Sequence, residues 1–158
     1  MNPSRPEPKL SHLYQEVILD HNKNPRNFKE ISKATQYSHG RNPLCGDDYH
    51  LYLVTDDAGI IQDIGFQGSG CAISKASASI MTTLVKGKSV RDAADFKNNF
   101  VTAMTKNDSA NAKSKIGKMS IFEGVKEFPV RVKCATLIWH ALDDALKDSP
   151  VFGSRGEI

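Results

Sequence analysis

No apolar run in this chain approaches the roughly 18 residues that a membrane-spanning helix needs, so a membrane protein is not expected. The first residues also lack the basic start, apolar middle and small-residue cleavage site of a secretory signal, which sets the expectation of a cytosolic protein. Charge of one sign is scarce. With 21 Lys and Arg against 18 Asp and Glu the formal charge is +3, and no basic block dominates, too mild a bias for a nucleic-acid partner. Tryptophan occurs once and cysteine three times. An odd number of thiols in a reducing compartment makes a disulfide framework the weakest explanation for them and leaves metal binding or thiol chemistry. What is present suffices for one domain: 158 residues, 39% of them hydrophobic, can bury one compact core and not a second full one.

Residues 1–9 carry Pro3, Pro6 and Pro8 with almost no apolar content, the composition of a disordered lead-in. A single domain is expected over 10–150, with a tail over 151–158. Leu10, Leu13, Tyr14, Val17, Ile18 and His21 recur at helical spacing before Asn24-Pro25, which predicts a helix over 10–22. Arg26 to Leu44 is polar and irregular and reads as a long loop with room for one short strand. Tyr49 to Thr55 and Ile60 to Gln67, joined by Asp56-Asp57-Ala58-Gly59, predict a hairpin. Gly68-Ser69-Gly70 interrupts the second strand, and Ala72 to Lys86 predicts a helix stopped at Gly87, so Cys71 falls where a strand hands over to a helix. Ser89-Val90-Arg91-Asp92 has the form of a capping box and opens a helix to near Met104. Lys106 to Gly124 shows little periodicity and holds four lysines, which reads as an exposed loop or a loosely packed insertion with a solvated face. After Pro129, the spacing of Cys134, Leu137, Ile138, Ala141, Leu142 and Ala145 predicts a last helix over 131–147. The expected class is α+β: a small antiparallel sheet with helices packed on one face.

The three cysteines fall in a loop (Cys45), at a strand-to-helix turn (Cys71) and in the first turn of a helix (Cys134). Such positions let a scaffold present side chains to a shared point. Their separations match no zinc-finger spacing, and a cysteine taken singly is more often a small buried hydrophobe. Local features favour chemistry. A helix start lowers a thiol's pKa, which bears on Cys71. Asp47 adds a hard oxygen two residues from Cys45, and Gly46 lets the backbone turn tightly between them. Three thiolates and a carboxylate would complete a tetrahedral zinc shell, and its negative charge calls for a nearby cation. Arg131, one helical turn before Cys134, lies on nearly the same face and suits that role or the stabilisation of a developing thiolate. His39 and His50 flank the loop and strand and could stand in as ligands, and Asp48 could replace Asp47, although strand alternation sends the two carboxylates to opposite sides. His140 points to another side of the last helix and reads as a core or surface histidine. From the residues alone, the reading ends at a metal site built from all three cysteines and one aspartate, with or without a reactive thiol.

Five blocks in order, "LYQEVILDHNKNPRNF", "NPLCGDD", "GSGCAISKASASIM", "VKGKS" and "FPVRVKCATLIWHAL", resemble the iron-sulfur cluster assembly family of NifU and IscU-like proteins, and most closely its SufU branch. The resemblance spans residues 10 to 147 and implies the α+β fold already expected. It also implies that Cys45, Asp47, Cys71 and Cys134 meet at one exposed site. In scaffold-type IscU proteins a histidine precedes the last cysteine, whereas here Lys133 stands there, which cannot ligate while protonated. SufU-like proteins lack that histidine and carry an insertion where this chain has Lys106 to Gly124. The resemblance therefore implies a zinc-dependent sulfurtransferase that accepts persulfide sulfur from a PLP-dependent cysteine desulfurase of SufS type and passes it to the downstream cluster assembly machinery. Cys45 would be the acceptor, with Zn2+ held by Asp47, Cys71 and Cys134 alongside it. The alternatives are a scaffold on which a transient iron-sulfur cluster is built, and a zinc-stabilised interaction domain whose metal never reacts.

Overall fold

The computed structural model of the protein describes residues 12–106 and 109–147. The expected lead-in over 1–9 and tail over 151–158 lie outside the described residues. In chain order the elements are helix α1 (His12–Lys23), strands β1 (Gln36–Asn42), β2 (Asp47–Thr55) and β3 (Ile61–Ser69), and helices α2 (Ala72–Val85), α3 (Val90–Thr105), α4 (Ala110–Lys113) and α5 (Pro129–Leu146). A 3₁₀ helix over Gly117–Val125 precedes α5. The strands form one antiparallel sheet in the order β1-β2-β3, so the expected α+β class is what the chain adopts.

The hairpin follows from alternation in β2. Asp47, Tyr49, Leu51, Leu53 and Thr55 face inward and are buried, while the residues between them face outward. Helix α5 packs across β1 and β2, and α2 packs against α5 and β3, so both cover the inner face. Strand β1 is longer than the short strand expected, because its inward residues are not apolar. Gln36 donates to Thr55 Oγ1 (2.9 Å), Ser38 Oγ donates to the Ala141 carbonyl (2.6 Å), and at Gly40 an added Cβ would lie 3.2 Å from that of Ala141. The β1 strand is small and hydrogen-bonded where α5 presses on it, a pattern that hydrophobic periodicity does not register.

Lys106 to Gly124, expected as an exposed or loosely packed segment, instead supplies core. Ile116, Met119, Phe122 and Val125 are buried at every third position, the repeat of a 3₁₀ turn and not of an α-helix. Phe122 meets Phe100 edge-on at 6.2 Å, and Phe100 in turn lies 5.5 Å from Trp139 of α5. Each fully buried large apolar side chain of this kind contributes about 1.5–3 kcal/mol of transfer free energy. The segment thus ties α3 to α5, the helix that carries Cys134.

Candidate metal and thiol site

Strands β1 and β2 are joined by a tight turn that carries Cys45. The Asn42 carbonyl accepts from both Cys45 N–H (3.1 Å) and Gly46 N–H (2.9 Å), and the Asn42 side chain accepts from Leu44 N–H (3.2 Å). Gly46 has φ +75°, a left-handed conformation that a side chain would strain. The turn delivers Asp47 to the inner face as the first residue of β2, fully buried. Cys71 is the N-cap of α2, its sulfur accepting from Ser74 N–H at 3.4 Å. Cys134 sits on the buried side of α5, its Sγ 3.4 Å from that of Cys45.

Donor atoms of Cys45, Asp47 and Cys134 lie within 4.8 Å of one another. Cys71 stands beside this group, its N–H donating to Asp47 Oδ1 at 3.0 Å. The structure therefore brings the four sequence-predicted residues to one place, with Cys71 at its edge. Burial pushes the Cys134 thiol well above its ordinary pKa, and its hydrogen bond to Cys45 and the nearby Cys71 thiol add to the shift. Arg131 joins the cluster from the exposed side of α5. Burial works against its charge, but the nearby Cys71 and Cys134 sulfurs more than offset that and raise its pKa. Lys133 is exposed, Asp48 lies on the other face of β2, and His140 is exposed on α5.

The two oxygens of Asp47 have different surroundings. Oδ1 accepts from Cys71 N–H (3.0 Å) and from the Ser74 hydroxyl (3.1 Å), and Ser74 Oγ pairs with the Tyr49 hydroxyl at 3.0 Å. Oδ2 is buried without a hydrogen-bond partner. A carboxylate oxygen left bare in the interior costs about 1–3 kcal/mol or more, and a carboxylate grouped with two thiols calls for a cation. Three thiols and one free carboxylate oxygen form a donor set that suits zinc. Ser74 and Tyr49 were not singled out from the sequence. The available signals were that Tyr49 is two residues beyond Asp47, on the same strand face, and Ser74 three residues beyond Cys71, on the same helix face.

Leu44 and Val130, 81% and 55% exposed, flank an open groove of about 500 Å³ lined by Cys45, Phe128, Pro129 and Arg131. Cys45 is the thiol that this groove exposes to a visitor.

A three-stranded antiparallel sheet, with helices on one face and three cysteines converging on a buried aspartate, defines a small α+β protein with a thiol-rich metal-type site. The NifU-like N-terminal domain model matches residues 13–148, and the chain belongs to that family. It is 41% identical over 143 residues to the "iron-sulfur cluster assembly scaffold protein IscU" of Streptococcus pyogenes, covering 89% of this chain and 87% of that one. It is 40% identical over 134 residues to the "zinc-dependent sulfurtransferase SufU" of Bacillus subtilis, covering 85% and 89%. A crystal structure of a SUF-system scaffold protein from Fervidobacterium islandicum superposes with a TM-score of 0.79 at 35% identity, covering 87% of this chain and 99% of that one. Among the described residues no helix is long and apolar enough to cross a membrane.

Proposed function

We propose that this IscU/SufU-type protein serves iron-sulfur cluster assembly as a zinc-dependent sulfurtransferase. It accepts persulfide sulfur from a PLP-dependent cysteine desulfurase of SufS type and hands it on to the assembly machinery. The observation that carries the reading is the buried Asp47 carboxylate, one oxygen anchored and the other bare, beside a Cys45 that lies in a turn and opens to the groove. Cys45, Asp47, Cys71 and Cys134 would hold the zinc, which when bound favours the thiolate form of its cysteines and shields them from oxidation.

The transfer itself is carried by Cys45. Its thiolate attacks the outer sulfur of the donor persulfide; a new S–S bond forms on Cys45, the donor's S–S bond breaks, and the desulfurase cysteine leaves as a thiolate. The positive guanidinium of Arg131, which lines the groove beside Cys45, stabilises thiolate charge at the mouth of the site. Leu44 and Val130 offer apolar contact to the partner segment that carries the persulfide. Lys133 supports transfer over cluster building, because the position before the last cysteine supplies no further ligand.

The test adds the protein to a cysteine desulfurase and follows turnover, together with the mass of the Cys45 peptide. Faster turnover and a one-sulfur mass gain on Cys45 are expected. Unchanged acceleration with Cys45→Ala would show that the acceptor lies elsewhere. The IscU name of a relative at 41% identity favours a second reading, a cluster scaffold. Anaerobic reconstitution, followed by delivery of an intact cluster to an apo-protein at a useful rate, would favour it.

A further inference from the structure

The geometry points to a second metal site, on the outer face of the sheet, where His39, Asp48 and His50 would take an exchangeable first-row divalent transition ion. These residues contribute nothing to the thiol cluster, since alternation in β2 turns Asp48 and His50 away from Asp47. His39 and His50 are directly opposite in the antiparallel register of β1 and β2, and Asp48 lies two residues from His50 on the same face. His39 Nε2 is 2.6 Å from Asp48 Oδ1, and His50 Nε2 is 4.0 Å from the same oxygen. Donor atoms of all three fit within 4.8 Å.

The histidines are also oriented. Their rings stack at 4.3 Å and 9°. Tyr37 Oη lies 2.5 Å from His50 Nδ1, and its ring stacks on His50 at 5.9 Å. In the tautomer that donates Nδ1–H to the phenol oxygen, the His50 Nε2 lone pair is free, 4.0 Å from Asp48 Oδ1. An outer partner of this kind is what holds a ligating histidine in place. Convergence on one ion requires the two exposed rings to rotate and His39 Nε2, which hydrogen-bonds to Asp48 Oδ1, to give up its proton to solvent.

Two imidazoles and one carboxylate suit zinc, nickel, cobalt or ferrous ions, whereas the thiol cluster favours softer coordination. The side chains of His39, Asp48 and His50 are 39%, 45% and 40% exposed, so water completes the shell and the ion exchanges freely. Arg41, opposite Asp48 in register, opposes the ion's charge, but its exposed side chain can swing away.

Nickel(II) titrated into zinc-loaded protein tests the site independently of sulfur transfer. One nickel equivalent per chain is expected by calorimetry. In NMR spectra the ring signals of His39 and His50 should broaden while those of His21 and His140 persist. The exposed double substitution His39→Gln/His50→Gln should weaken nickel binding at least tenfold yet retain the first zinc equivalent, which also reports that the variant is folded. No nickel uptake by the unaltered protein, or equal affinity in the double variant, would overturn the assignment.

Discussion

Asp47 and Asp48 are neighbours with the same side chain, and they inhabit opposite worlds. Asp47 is fully buried in a group with the Cys45 and Cys134 sulfurs, one oxygen fixed by Cys71 N–H and the Ser74 hydroxyl and the other without a hydrogen-bond partner. Asp48 is half exposed, and the hydrogen bond from His39 holds its carboxyl below the usual range. One step along a strand reverses the face, and the face decides whether a carboxylate is a desolvated anchor or a solvated partner. Interaction with a soft-ligand site is therefore a property of register as much as of residue type.

Substitutions at the two positions give the sharpest contrast. Asp47→Ala should lower zinc affinity at the thiol cluster by more than the roughly 100-fold typical of losing an outer partner. Asp48→Ala should leave that affinity within about twofold, since surface changes away from such features have small effects. Metal analysis after chelator competition measures both, and equal losses would break the comparison. Gly70→Ala comes next. Its added Cβ would lie 2.5 Å from both Asp47 Oδ1 and Ser74 Oγ, so the anchor must move. Overpacking of this kind costs about 1–3 kcal/mol in urea unfolding, and zinc affinity should fall with it. Ser74→Ala, which removes one donor to Oδ1 and the partner of the Tyr49 hydroxyl without crowding, should weaken zinc by about 10- to 100-fold and cost about 1–3 kcal/mol in unfolding of the zinc-free protein. Smallest is Tyr49→Phe. It removes the hydroxyl that supports Ser74, and the loss of one such hydrogen bond is worth about 1 kcal/mol in denaturant unfolding.

Much of this contrast was legible in the sequence. The opposition of Asp47 and Asp48 follows from period-two alternation, and β2, β3, α2 and α5 announce themselves by apolar spacing. The four donors and Arg131 were all named before their geometry, although only the folded chain shows that Cys71 stands at the edge of the group. What escaped did so for physical reasons. The inward residues of β1 are Gln36, Ser38 and Gly40, chosen for hydrogen bonding and close approach to α5, so no hydrophobic alternation betrays the strand. Ile116, Met119, Phe122 and Val125 repeat every three residues, which a search at 3.6 reads as noise. Ser74 matters through its contact with Asp47 across 27 positions and Tyr49 through its contact with Ser74 across 25, and polar contacts at long range leave little periodic trace.

Cys45 and Cys134 touch across 89 positions of chain, the first in the β1–β2 turn and the second on α5. During synthesis the turn emerges long before α5 does, so a nascent chain presents Cys45, Asp47 and Cys71 without their fourth companion. Completion of the cluster is a late event that waits for α5 to dock. The thiol cluster is thus closed by the same helix that closes the core.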